Sequence, residues 1–65
     1  MKIKWTNTYS HESGYVKYIV YQKRYFVNTF DVNEAKQFVS VESAKKAINT
    51  LIEYGEGDLN VFEIV

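Results

Sequence analysis

The stretch Ser40 to Gly55, SVESAKKAINTLIEYG, does most to restrict what this chain can fold into. Ala44, Ile48, Leu51 and Ile52 recur at helical spacing, with Val41 and Ala47 flanking the same stripe. Glu42, Lys45, Lys46, Asn49 and Glu53 take the other side. This is the pattern of an amphipathic helix with one buried face. Its ends are marked as well: Ser40 can accept from the amides of the first turn, Glu42 complements the positive helix end, and Gly55 suits the left-handed residue that ends helices. No other segment repeats this pattern at comparable length, so the remaining residues must build the surface on which one helix rests.

They read as strands. Met1 to Asn7 alternates Ile3 and Trp5 with Lys2, Lys4 and Thr6, and Thr8 to Gly14 is turn-rich and closes a hairpin. Tyr15–Tyr21 and Arg24–Phe30 are rich in Tyr, Val, Ile and Phe, and predict two strands joined around Gln22 and Lys23. Asp31 and Glu34 have capping-box spacing, which predicts a short helical turn before the main helix with Ala35 and Phe38 inward. Glu53 to Asp58 reads as an acidic turn, and Leu59 to Val65 as a last strand with Phe62 and Ile64 opposite Glu63. The expected fold is a single α+β domain over residues 1–65, a four-stranded, mainly antiparallel sheet with one helix on one face, in the order β-β-β-α-β. A right-handed helical crossover would set the last strand beside the first and parallel to it.

A two-residue loop at Gln22 and Lys23 pairs Val20 with Tyr25, Tyr18 with Val27 and Val16 with Thr29, a face without charge that we assign to the helix. The opposite face then pairs Tyr21 with Arg24, Ile19 with Phe26, Lys17 with Asn28 and Tyr15 with Phe30. One helix covers only one side of a sheet, so Tyr15, Lys17, Ile19, Tyr21, Arg24 and Phe26 are expected to form an aromatic and basic contact surface. A loop of another length would invert this assignment.

Composition narrows the function classes. Sixty-five residues bury only about 60% of the surface the unfolded chain exposes, so stability is limited. The chain has no cysteine and one histidine, which removes disulfides and closed zinc sites as sources of help and leaves packing, self-association or a partner. Lys2, Lys4, Lys17, Lys23 and Arg24 face only Glu12 up to residue 30, a balance of +4. Lys36, Lys45 and Lys46 face Asp31, Glu34, Glu42, Glu53, Glu56, Asp58 and Glu63 thereafter, a balance of −4. Net charge is therefore zero but unevenly placed, consistent with acids at helix ends and lysines on edge strands, or with attraction to an acidic partner or a second copy.

No nucleophile–base constellation is visible: the serines fall in turns or at the helix start, and Gly55-Glu56-Gly57 follows a helix instead of preceding one. His11, in the first turn beside Glu12, reads as solvated surface. The expectation is a non-catalytic protein with no metal, cofactor or small-molecule substrate. Neither an apolar span nor a leader-like segment is present, which points to the cytoplasm. Tyrosine, phenylalanine and arginine dominate the energetics of protein interfaces, so a protein partner or a homodimer is the leading expectation. Aromatic residues interleaved with lysines also resemble a base-stacking surface, which keeps nucleic acid as the alternative, although a pI near 6.6 supplies no long-range attraction to a polyanion.

The run Tyr25 to Leu51 is similar to short proteins encoded by bacteriophages and mobile elements, in the spaced Ala35 and Phe38, the helix-starting Ser40, and then Ala44, Ala47, Ile48 and Leu51. Ser43 stands where an acid would complete the capping box. The resemblance implies a non-enzymatic protein of a bacterial host cell that acts by binding a host or defence protein, or nucleic acid. It assigns no functional residue.

Overall fold

The computed structural model describes residues Met1–Val65 and contains four strands and one helix: β1 Ile3–Asn7, β2 Ser13–Val20, β3 Tyr25–Thr29, α1 Val41–Glu53 and β4 Asn60–Ile64. Short 3-10 turns at Val32–Glu34 and Glu56–Asp58 flank the helix. The sheet order is β3-β2-β1-β4 and every neighbouring pair is antiparallel. The α+β class, the element order and the position of β4 beside β1 agree with the sequence.

The direction of β4 does not. A single crossover from β3 would have made it parallel to β1, but the chain passes along the sheet twice before β4 begins. Residues 36–38 run first beside the strands, where Lys36 N–H donates to Val16 O and Phe38 N–H donates to Met1 O, at 2.9 and 2.8 Å. The helix and the second 3-10 turn then deliver the chain to the far end of β1, where Thr8 N–H donates to Leu59 O. β4 therefore starts beside the end of β1 and finishes beside its start, with Lys2 and Val65 exchanging backbone hydrogen bonds.

The helix forms where local signals place it. The Ser40 hydroxyl accepts from Ser43 N–H at 3.1 Å, and the Ser43 hydroxyl lies 3.3 Å from Ser40 N–H. Serine thus completes the reciprocal cap in place of the usual acid. Gly55 ends the helix with φ 90°. At the first 3-10 turn, Asp31 accepts from Asn33 N–H, while the Glu34 carboxylate turns away to Thr29 Oγ1 and Lys17, so the reciprocal Asp31–Glu34 box does not form. Losing an N-cap hydroxyl costs about 0.5–2 kcal/mol. Ser40→Ala should therefore lower the thermal midpoint by several degrees, and a Ser40→Thr change that keeps the oxygen should recover most of it.

One core lies between helix and sheet. Ile3, Val16, Ala44 and Leu51 are fully buried, joined by Ile19, Phe38 and Ala47, with Phe26, Ile48, Tyr54, Phe62 and Ile64 packed at its margin. Ala35 and Phe38 both face inward as the sequence indicated. Trp5 is buried beside Gly14 and meets the Phe30 ring edge-on at 5.9 Å. No helix is long and apolar enough to cross a membrane.

Candidate functional site

β2 decides which side chains face the helix. Its register with β3 matches the sequence expectation near the turn: Val20 lies opposite Tyr25, Ile19 opposite Phe26 and Tyr18 opposite Val27. The register then shifts between Val16 and Tyr18, and Val16 faces Asn28 while Tyr15 faces Thr29. One extra residue, Lys17, is absorbed there. Such a bulge moves everything beyond it to the other face. Val16 and Ile19 consequently point the same way, into the core, although their spacing in sequence is three.

This inverts the expected faces on the turn side of the bulge, while Val16 stays on the helix side as expected. The helix packs on Ile3, Val16, Ile19, Phe26, Phe62 and Ile64. By alternation the opposite, open face carries Lys4, Tyr15, Tyr18, Val20, Tyr25 and Val27. Of the six expected contact residues, Ile19 is in the core and Phe26 is half-buried, with its ring 5.8 Å from that of Phe62. Tyr21 and Arg24 do not pair as strand residues. They belong to a four-residue turn in which Lys23 N–H and Arg24 N–H both donate to Val20 O and Arg24 adopts φ 60°. Arg24 instead reaches the helix end, its guanidinium 4.8 Å from the Tyr54 ring centre and 3.5 Å from Glu53 O. A cation there complements the negative helix terminus.

Tyr15 and Lys17 remain on the open face. Lys17 pairs with Glu34 at 3.3 Å, and Glu34 also accepts from Thr29 Oγ1, which buries Thr29. Together with the Lys2 ammonium, which donates to Val32 O at 2.8 Å, these contacts hold the first 3-10 turn against that side of the sheet. The turn covers the Thr29 end and leaves the other end open, where Tyr18 is 49% and Tyr25 41% exposed beside half-buried Val20 and Val27. Sequence reasoning missed this quartet because it assumed an uninterrupted alternation. The available signal was chemical: phenols tolerate water, whereas Val16, Ile19 and Phe26 do not.

No three His, Asp or Glu side chains converge as metal ligands. The Ser40 and Ser43 hydroxyls are engaged in the helix cap, and His11 sits with φ 63° in the exposed first loop. Of the lysines on the open face, Lys17 pairs with Glu34, Lys2 donates to Val32 O, and Lys4 lies opposite Glu63 in the β1–β4 register. Comparison of the chain with protein-family models, curated proteins and solved structures returns no match.

Proposed function

We propose that this is a non-catalytic binding protein that engages a protein partner through the open sheet face formed by Tyr18, Val20, Tyr25 and Val27, with Tyr15 and Lys17 at its border. The observation that carries the reading is an aromatic and aliphatic surface on rigid strands that no element of the chain covers. Tyrosines in such a setting supply contact area at small entropic cost and keep a polar tip for water or a partner's acceptor. In the phage-type setting that the sequence resembles, the partner would be a host or defence protein within the bacterial cytoplasm. Stacking of nucleic-acid bases on the same tyrosines is the alternative. The ion pair of Lys17 with Glu34 speaks against it, since a cation already compensated by a carboxylate contributes less to phosphate binding.

The test is affinity capture from a lysate of the source cell, with and without nuclease, using the native protein and a Tyr18→Asp/Tyr25→Asp variant. Both side chains are well exposed, so the variant should stay folded. A protein retained by the native chain, resistant to nuclease and lost from the variant is the expected result. Retention that nuclease abolishes would replace the reading with the nucleic-acid one, and retention indifferent to the variant would remove this face from the function.

A further inference from the structure

The helix carries a wider apolar stripe than the sheet covers. Ala44, Ala47 and Leu51 are buried, yet Val41 and Ile52, on the same stripe, are 45% and 53% exposed. Ile48 and Ile52 form one wall of an open groove of about 370 Å³, and Phe62 of β4 lines its other side beside Asn60 and Asp58. The overhang thus lies above the outer edge of the sheet on the β4 side.

That edge is also unpaired. Lys2 and Val65 exchange N–H and C=O bonds, and Thr8 N–H donates to Leu59 O. In an antiparallel ladder these contacts direct the backbone groups of Val61, Glu63 and Val65 toward β1 and those of Asn60, Phe62 and Ile64 outward. β4 has neither lysine nor proline to blunt its edge, and its one charge, Glu63, already lies opposite Lys4. The β3 edge lacks the matching apolar wall, because the depression that reaches it is lined mainly by Asn7, Asn28, Asn60 and Glu56.

We infer that β4 pairs with β4 of a second copy, antiparallel about a two-fold axis at Phe62, making a continuous eight-stranded sheet with both helices on one face. The site is separate from the Tyr18–Tyr25 patch, with β1 between them. In this register Phe62 faces Phe62 of the second copy and Asn60 faces its Ile64, so every outward backbone group finds a partner. Leu59, 51% exposed, faces Val65 of the second copy, 53% exposed, and Val61 faces its Glu63. Centring the pair on Val61 or Glu63 shortens the ladder, and the second choice also sets two carboxylates against each other. The self-complementary register argues for a second copy over a foreign strand. A small, cysteine-free domain also gains from association, since it buries more apolar surface that way than alone. One strand edge and a partial helix face make a small interface, so the dimer should dissociate on dilution.

Sedimentation across a dilution series, with variants at Val61, tests this directly. Val61 is 54% exposed on the open face, so both substitutions are compatible with the monomer fold. Val61→Lys places an ammonium opposite Glu63 of the second copy, and Val61→Glu places a carboxylate there. With native net charge zero, the two variants change its magnitude equally, so only the local pairing separates them. The dimer should tighten several-fold in the first and weaken about tenfold in the second. Hydrogen exchange supplies the backbone readout: the amides of Phe62 and Ile64 should gain protection with concentration, while those of Val61 and Glu63 stay protected throughout. A native chain that remains monomeric to millimolar concentration, a dimer indifferent to both substitutions, or protection that does not alternate along β4 would each overturn the inference.

Discussion

Ile19→Ala should remove most of the stability of this protein, while Tyr18→Ala, one residue away, should leave it nearly intact. Ile19 is buried among Val16, Phe38 and the helix residues, so its truncation loses both transfer free energy and packing, about 2–5 kcal/mol. A chain of 65 residues has roughly 3–10 kcal/mol in total on the usual per-residue scale. The variant should therefore lie near its midpoint at physiological temperature, with a thermal transition lowered by at least about 10 °C. Tyr18 stands half in water on the other face, and its removal should cost under about 1 kcal/mol. Chemical denaturation followed by the fluorescence of Trp5, the only tryptophan, reads both. Equal losses would mean that the bulge at Lys17 does not set the faces, and the opposite ranking would restore the uninterrupted alternation that the sequence first suggests.

Gly14→Ala is the second large effect, and its sign is the informative part. Replacing glycine by alanine within a strand ordinarily stabilises by about 0.5–1 kcal/mol, because less chain entropy is lost on folding. Gly14 lies directly opposite Trp5 in the β1–β2 ladder. A Cβ there would stand 2.7 Å from Trp5 Cζ2 and 2.9 Å from the Thr29 carbonyl oxygen. The indole cannot easily yield, since it is buried against Phe30, and the carbonyl cannot move without opening the β2–β3 ladder. Overpacking of this kind costs about 1–3 kcal/mol, so the substitution should destabilise instead. Displacing the buried Trp5 ring would alter its emission maximum along with the stability. Gly57→Ala is the matched control. Its nearest obstacle is the Ile52 side chain at 3.2 Å, half exposed and able to rotate, so it should change stability little. A neutral or stabilising Gly14→Ala would show that the indole does not rest on β2.

Both predictions turn on β2, where local reading and tertiary structure part. The pairing of Val20 with Tyr25, Ile19 with Phe26 and Tyr18 with Val27 was legible, because alternation holds near a turn. Beyond Lys17 it was not, since one inserted residue changes the parity of every position after it. Faces carried across the bulge from Tyr15 and Val16, which lie on the sides expected, therefore fail on its turn side. Tyr15 and Lys17 lie where expected, Ile19 and Phe26 pass to the core, and Tyr21 and Arg24 join the turn and the helix end. The direction of β4 was lost for a related reason, since residues 36–38 bond across to Val16 and Met1 through contacts between segments far apart in sequence.

By itself the sequence determined the helix from Val41 to Glu53 with both of its ends, the presence of four strands, and the inward placement of Ala35 and Phe38. These follow from periodicity and from side chains that satisfy backbone groups within three or four residues, which act within a single segment. Only the tertiary structure decided which sheet face the helix covers, which way β4 runs, and that Val41 and Ile52 of the helix stripe stay exposed. The physical reason is that these depend on where a ladder absorbs an extra residue and how wide the sheet becomes beneath the helix. Both are fixed by contacts between strands, and no single segment carries the information for either.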